Sequence, residues 1–483
     1  METITYTPEE SIAAVATGLI PSALGVIRTT GKDSIEMISR LFSRPKALLS
    51  AGGNSIVYGW IIDPLKKENG EDGRVDEVLI SVFKSPKSFT GENMAEISCH
   101  GGIAVVTEIY NLLLKNGFRK ALRGEFTFRA YINGKTDLTR AEAIREIIES
   151  KTDKSSGRAA GRLAGSVYDQ IKDIQQLIVK TIAAIEVGIE YPEDEQTIAD
   201  AFDSTDLLSA AEKLKSLSDS WKSEKLYQDG ARVVLCGKTN VGKSSLFNAL
   251  LKEDRSIVSD IEGTTRDWIE SWVNFDGVPA RLFDTAGLRK TEDLIEQSGV
   301  ERTKDLSKDA DIVLYLADAL DSSKEKEKII TEELTALLPD DKIPVLFVWN
   351  KCDTLASGFE EAGLPYLRED SIKKIPALKG QLHISAKTGK GIAALSEAVK
   401  NVLTGSLETD REKAGLGSSR QEKNVKEAYE CVTHALKSVN ENYSLDAAVQ
   451  DLEDSLEALA EVTGEVTPDD ILETIFSNFC VGK

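Results

Sequence analysis

The chain has 483 residues, 41% hydrophobic and 29% charged, with 59 Lys and Arg against 80 Asp and Glu for a net charge of −21 at pH 7. At ~150 residues per domain this is roughly three ordinary globular domains, neither disordered nor fibrous. Such an acidic balance argues against non-specific adhesion to nucleic acid or anionic membrane.

Five scattered cysteines without a CxxC pair indicate neither a disulfide framework nor a zinc site. No run reaches the ~18 apolar residues of a membrane span. Residues 1–5 lack the basic and apolar regions of a signal peptide. A cytoplasmic protein with no membrane partner is expected.

In chain order, the β-rich runs 23–28, 55–62, 77–83 and 94–98 are predicted strands. Gly101-Gly102 and an apolar-periodic helix to about Leu114 follow. A small α/β domain over 1–133 is expected. Ile144, Ile147 and Ile148, then Ile171, Ile174, Leu177 and Ile178, recur at three and four residues, predicting helices over 134–229. Val233-Val234-Leu235-Cys236 reads as a buried strand, and strand–helix alternation runs to about Leu403. That alternation predicts a mostly parallel, doubly wound sheet over 230–404. Beyond the joint Gly415-Leu416-Gly417-Ser418-Ser419, two apolar helix faces follow in 405–483. Val425, Ala428, Tyr429, Val432, Leu436 and Val439 mark one; Leu445, Val449, Leu452, Leu456 and Leu459 mark the other. Helices on both sides predict one helical domain with the α/β unit inserted; two separate helical pieces are the alternative.

Gly237-Lys238-Thr239-Asn240-Val241-Gly242-Lys243-Ser244 fits GxxxxGK[ST], after a strand and at the start of a helix with Leu246, Phe247 and Leu250. The phosphate grip of such a loop comes from backbone N–H groups at a helix N-terminus. Asn240, Val241, Gly242, Lys243, Ser244 and Ser245 are therefore assigned to nucleotide phosphates, with Lys243 reaching the β/γ-phosphates and Ser244 holding magnesium.

Three further motifs choose the base. Asp284-Thr285-Ala286-Gly287 ends the strand 280–283, its aspartate suited to the magnesium shell and its glycine amide to the γ-phosphate. Asn350-Lys351-Cys352-Asp353 ends the strand 345–349. A carboxylate there accepts both N–H groups of a guanine edge, a pair that adenine does not offer. Ser385-Ala386-Lys387 supplies a backbone contact to the guanine oxygen. Four motifs in order, each at a strand C-terminus, predict a GTP-binding domain and exclude an ATPase. Ser259, Asp260, Ile261, Glu262, Gly263, Thr264 and Thr265 form the expected switch loop, with Thr265 completing magnesium coordination in the triphosphate state.

Where the Ras group has a water-orienting glutamine, this chain has Leu288. Other groups must position water and neutralise charge. Asn240 offers an oxygen for a monovalent cation, whose shell carbonyls of 259–264 would complete. Glu296 is either the water-orienting carboxylate or part of a solvated acidic helix face.

These motifs resemble the GTPase core of the tRNA-modification GTPase MnmE (TrmE) family. The most specific resemblances lie outside that core. Pro86-Lys87-Ser88-Phe89-Thr90-Gly91-Glu92-Asn93, leading to Cys99-His100-Gly101-Gly102, resembles the family's N-terminal domain. Gly124-Glu125-Phe126-Thr127 and 129–138 resemble the start of its helical domain, and Phe479-Cys480-Val481-Gly482-Lys483 its closing Phe-Cys-x-Gly-Lys.

The resemblance implies a folate-binding, dimerising N-terminal domain, a helical domain and an inserted Ras-like P-loop GTPase domain. It implies potassium-stimulated GTP hydrolysis coupled, with the flavoprotein MnmG in a heterotetramer or larger, to adding an aminomethyl or carboxymethylaminomethyl group at C5 of the tRNA wobble uridine. Implied folate contacts for 5-formyl- or methylene-tetrahydrofolate are Arg28, Glu96, Lys135 and Lys483. Implied potassium ligands are Asn240, Ser259, Ile261 and Thr264, magnesium ligands Ser244 and Thr265, and the catalytic residue Glu296. Cys480 is either a reactive thiol or a buried small residue.

The basic stretch Arg119, Lys120, Arg123, Arg129, Lys135 and Arg140 is either a tRNA contact or a solvated helix start. A ribosome-assembly GTPase or a regulatory switch GTPase without modification chemistry are the rival readings.

Overall fold

The computed structural model describes residues 10–190, 204–252, 270–284, 309–337, 343–355, 364–405, 415–440 and 445–483. The chain divides into two units, Met1–Arg145 with Tyr168–Leu214 and Lys423–Lys483, and Glu146–Val167 with Lys215–Glu422.

In the first unit β1 (Ile12–Val15), β2 (Leu24–Thr30), β3 (Ser55–Ile62), β4 (Arg74–Phe83), β5 (Met94–His100) and β6 (Arg119–Lys120) form a sheet in the order β3-β4-β5-β2-β1-β6. Neighbours are antiparallel except β1 and β6. The register follows the two-residue period of the side chains. Asp76, Val78, Ile80 and Val82 of β4 are buried while Glu77 and Leu79 are exposed. The helix Ile103–Lys115 buries Val106, Ile109, Leu112 and Leu113 against Ile27, Ile80 and Ile97. Each such apolar side chain contributes about 1.5–3 kcal/mol. The four expected strands are present, 55–62 with the expected bounds and the other three with shifted ends; β1 and β6 are too short to give a periodic signal.

The helix Glu125–Ile132 and the following residues meet the C-terminus in the same unit. Leu138 and Ala141 pack with Leu472, Phe476 and Phe479, and Phe476 meets Phe128 edge-on with ring centroids 5.3 Å apart. In the helix Leu445–Thr463, Ala448, Leu452, Ser455 and Leu459 are buried at three- and four-residue spacing.

In the second unit β7 (Ala231–Cys236), β8 (Glu270–Phe275), β9 (Val278–Asp284), β10 (Ile312–Asp318), β11 (Val345–Asn350) and β12 (Leu378–His383) form a sheet in the order β12-β11-β10-β7-β9-β8. All pairings are parallel except β8 with β9. The central strands are buried along almost their whole length, because apolar clusters cover both faces. Strand order reverses at β7, flanked by β9 and β10, which places a crevice beyond the carboxyl ends of these strands.

Two contacts in this unit anchor the sheet to the helix Asp153–Ala164. Thr152 caps the helix, and its hydroxyl donates to the carbonyl of Gly277 in the β8–β9 turn at 2.8 Å. Farther along, the buried Arg158 and Arg162 share the fully buried carboxylate of Glu224, and Arg162 also pairs with Glu146. Glu224 accepts the backbone N–H of Gly415 at 3.1 Å, and Arg162 donates to the Gly415 carbonyl at 3.2 Å. The same charge cluster thus fixes the segments on either side of the parallel sheet.

Candidate functional site

At the end of β7 the chain turns through Gly237 at φ +131° and enters the helix Lys243–Lys252 through Gly242 at φ +97°. A Cβ at Gly237 would lie 2.2 Å from the Leu316 carbonyl oxygen, and one at Gly242 would lie 2.3 Å from the Asn350 amide nitrogen. Both positions require glycine on conformation and space. The loop is a concave run of backbone amides at a helix N-terminus, which fits a polyphosphate. Lys243 is buried, and its amine donates to the carbonyls of Gly237 and Lys238, both at 2.7 Å. Ser244 and Ser245 are exposed at the first turn. Asn240 is also exposed and adopts φ +64°, presenting its side chain at the loop's tip.

The base end is built from two loops tied to the phosphate loop through one buried side chain. Asn350 donates to the Val241 carbonyl at 2.8 Å and accepts the Ala386 N–H at 3.0 Å. Lys351, at φ +63°, pairs with Asp318 at 2.7 Å. Asp353 accepts the Ser385 hydroxyl at 2.7 Å, and that hydroxyl in turn accepts the Thr388 N–H at 3.2 Å. Asp353 is thereby oriented while remaining exposed to a guanine edge. Lys387 is exposed beside it.

Asp284 ends β9, with its side chain outside the described residues. Ser259, Asp260, Ile261, Glu262, Gly263, Thr264, Thr265, Thr285, Ala286, Gly287 and Glu296 also lie outside them.

A second constellation lies in the first unit. Arg28, in the middle of β2, donates from Nε to Glu96 on β5 at 3.0 Å and from Nη1 to the Gly482 carbonyl at 2.8 Å. Its guanidinium lies over the rings of Phe89 and Phe126 at 5.1 and 5.0 Å. Burial holds the Arg28 pKa below its ordinary value, against the pull of Glu96. Lys483 is half-buried nearby; desolvation and then the Arg28 charge lower its pKa, while Glu96 and Cys480 oppose this. Three of the four expected folate contacts therefore come together. Lys135 reaches the loop that carries Phe89 from elsewhere, donating to the Pro86 carbonyl at 3.0 Å. Glu96, 32% exposed, is a carboxylate that can accept the paired N–H donors of a 2-amino-pyrimidinone. Cys480 is exposed, which removes the buried-residue reading of this thiol.

The structure corrects the reading of three members of the basic stretch, while Lys120, Arg123 and Lys135 are exposed. Arg129 is fully buried between Glu92 and Glu125; Arg119 pairs with Glu10 and Glu125, and Arg140 with Asp137. These three arginines are internal ties within the first unit.

A family profile described as "MnmE helical domain" matches residues 138–480, and one described as "GTP-binding protein TrmE N-terminus" matches residues 11–135. The tRNA modification GTPase MnmE of Treponema denticola is 49% identical over 481 residues, covering 99% of each chain. The chain belongs to the MnmE family.

Proteins of that name from Treponema pallidum and Borrelia recurrentis are 37% and 38% identical, again over 99% of each chain. Among solved structures, Era of Aquifex aeolicus aligns with 42% of this chain and 66% of its own at 28% identity, with a TM-score of 0.28. Within this MnmE-family chain, motif reading missed Phe126 beneath Arg28, Asp318 behind Lys351, and Glu224. Phe126 lies in a quoted motif that does not reveal its partner, and Asp318 and Glu224 carry no local signal, because each acquires its role from a partner distant in sequence.

Proposed function

We propose that this protein hydrolyses GTP in a potassium-dependent reaction and, with MnmG, installs an aminomethyl or carboxymethylaminomethyl group at C5 of the tRNA wobble uridine. The observation that carries the reading is the 49% identity along the whole chain to a protein named tRNA modification GTPase MnmE. It is supported by the convergence of Lys243, Asn350, Asp353 and Ala386 at one sheet edge. Its domains are folate-binding and dimerising over 1–133, helical over 134–229 and 405–483, and GTPase over 230–404. It acts as a cytoplasmic homodimer; no helix among the described residues is long and apolar enough to cross a membrane.

In the GTPase site, backbone amides around Gly242 and the Lys243 amine hold the phosphates, and Asp353 selects guanine. Ser244 and Thr265 would hold magnesium, which would neutralise phosphate charge. Asn240, Ser259, Ile261 and Thr264 hold potassium where other GTPases use an arginine. Glu296 orients water, a role that Leu288 cannot fill. In the first unit, Arg28, Glu96, Lys135 and Lys483 would hold the tetrahydrofolate, which would supply a one-carbon unit, with Cys480 as a candidate thiol of the modification chemistry.

GTP shares no chemistry with uridine, so hydrolysis acts by shifting conformation. The β8–β9 hairpin supports this route. In sequence its outer ends lead to the switch loop 259–265 and to Asp284-Thr285-Ala286-Gly287, and its turn contacts Thr152, the cap of the helix Asp153–Ala164. Nucleoside analysis of tRNA from a strain lacking the protein tests the proposal. Loss of the modified wobble uridine with normal ribosome profiles is expected. Intact modification refutes it.

A further inference from the structure

The Gly124-Glu125-Phe126 motif has no part in nucleotide binding, yet its surroundings are specialised. Gly124 adopts φ +69°, and a Cβ there would lie 2.4 Å from the Phe476 carbonyl oxygen and 3.0 Å from its carbon. That carbonyl accepts the Phe479 N–H at 3.0 Å, the bond that turns the last helix into the terminal tail. The Gly124 N–H points at the Cys480 carbonyl at 3.4 Å, and Arg123 pairs with Val481 as an antiparallel bridge. The Cys480 carbonyl also accepts the Lys483 N–H at 3.3 Å. Glu125, 1% exposed, fixes the segment by accepting the Leu122 N–H at 2.8 Å and pairing with Arg119 and Arg129. Phe126 supports Arg28, which holds the Gly482 carbonyl.

We propose that residues 123–126 are the dock for the C-terminal tail, and that Gly124 is a positioning residue that sets where the Cys480 thiol and Lys483 amine stand. The proposal rests on reading the Arg28–Glu96 pocket as the folate and modification site. A thiol and an amine on four terminal residues contribute only if their placement is fixed before substrate arrives. Backbone contacts at Gly124, Arg123 and Gly482 fix it, whatever side chains follow. An alanine at 124 combines an unfavourable φ with a clash against backbone that no rotamer relieves.

The test is release of lysine by carboxypeptidase B from the chain ending at Lys483, alongside equilibrium binding of 5-formyl-tetrahydrofolate. The unmodified protein should retain Lys483. Gly124→Ala should release it at least tenfold faster and bind the folate at least tenfold more weakly, with GTP hydrolysis within twofold of the unmodified rate. Gly482→Ala perturbs the same dock from the tail side. Gly482 lies at φ +91° but has no neighbour nearer than 3.4 Å to an added Cβ, so this change strains only the tail. It should release Lys483 as well, even if Gly124→Ala fails to fold. A folded variant of either kind that keeps Lys483 as the unmodified protein does would overturn the dock. So would rapid loss of Lys483 from the unmodified protein. A docked tail in a protein that binds no folate would instead overturn the reading of the pocket.

Discussion

Arg28 donates to the carbonyl of Gly482 at 2.8 Å across 454 positions of sequence. One side chain in the middle of a strand thus holds the C-terminal tail of its own chain. Arg28 also pairs with Glu96 and lies over the rings of Phe89 and Phe126. A planar guanidinium can serve a carboxylate, a carbonyl and two rings together, which an ammonium cannot.

Arg28→Ala should therefore weaken 5-formyl-tetrahydrofolate binding at least tenfold, since a charge-assisted hydrogen bond is worth about 1.5–3 kcal/mol. Arg28→Lys should recover only part of the affinity. Titration calorimetry of the two variants checks this; equal affinity for Lys and Arg would show that the planar guanidinium is not required.

Asp353→Asn should lose GTP affinity and gain affinity for xanthosine triphosphate, because an amide donates to the extra carbonyl of xanthine. The Ser385 hydroxyl that now donates to Asp353 can serve an amide oxygen equally, so the fold should survive. Competition binding with the two triphosphates reads the change. Undiminished GTP turnover in this variant would sink the assignment.

Hydrolysis should be faster in potassium than in sodium, and Asn240→Ala should abolish the difference while sparing nucleotide binding. Glu296→Ala should lower kcat without raising KM, as expected for a group acting mainly in the transition state. Steady-state kinetics in each chloride salt decide both points. Equal wild-type rates would contradict a selective cation site.

Glu224→Gln takes the buried carboxylate from Arg158 and leaves Arg162 its ion pair with Glu146. Breaking a buried pair in this way costs about 3–5 kcal/mol. Urea unfolding should show the loss while GTP affinity stays within twofold, because Glu224 holds the segments flanking the sheet and not the phosphate loop.

His100 sits beside Asp76, its ring at 2.7 Å and its N–H at 2.8 Å from the two carboxylate oxygens. The hydrogen bond and then the charge of Asp76 raise the His100 pKa above 6.5. A raised folded value means the pairing stabilises fully below pH 6.5 and is lost as pH rises through the His100 value. Asp76→Asn should lower that value, measured by NMR titration of the imidazole. An unchanged titration would show that the carboxylate does not control it.

The phosphate-loop and base motifs were legible as motifs because each is contiguous and works largely through backbone set by strand and helix ends. Gly237, Gly242, Asn350, Asp353 and Ser385 all stand where strand-end motifs put them, and the parallel sheet followed from strand–helix alternation. Charge was read less well. Arg129 is indistinguishable in sequence from the basic residues around it, yet it is fully buried between two carboxylates.

Sequence by itself determined the periodic elements, the guanine and phosphate motifs, and through its terminal and internal motifs the family. Only tertiary structure decided that the tail of this chain reaches its own Arg28, that Cys480 is exposed, and that Glu224 joins segments on both sides of the sheet. The physical reason is range. Periodicity and backbone conformation are set by neighbours within a turn or a strand, whereas the burial and pairing of a charge depend on which distant segments close around it.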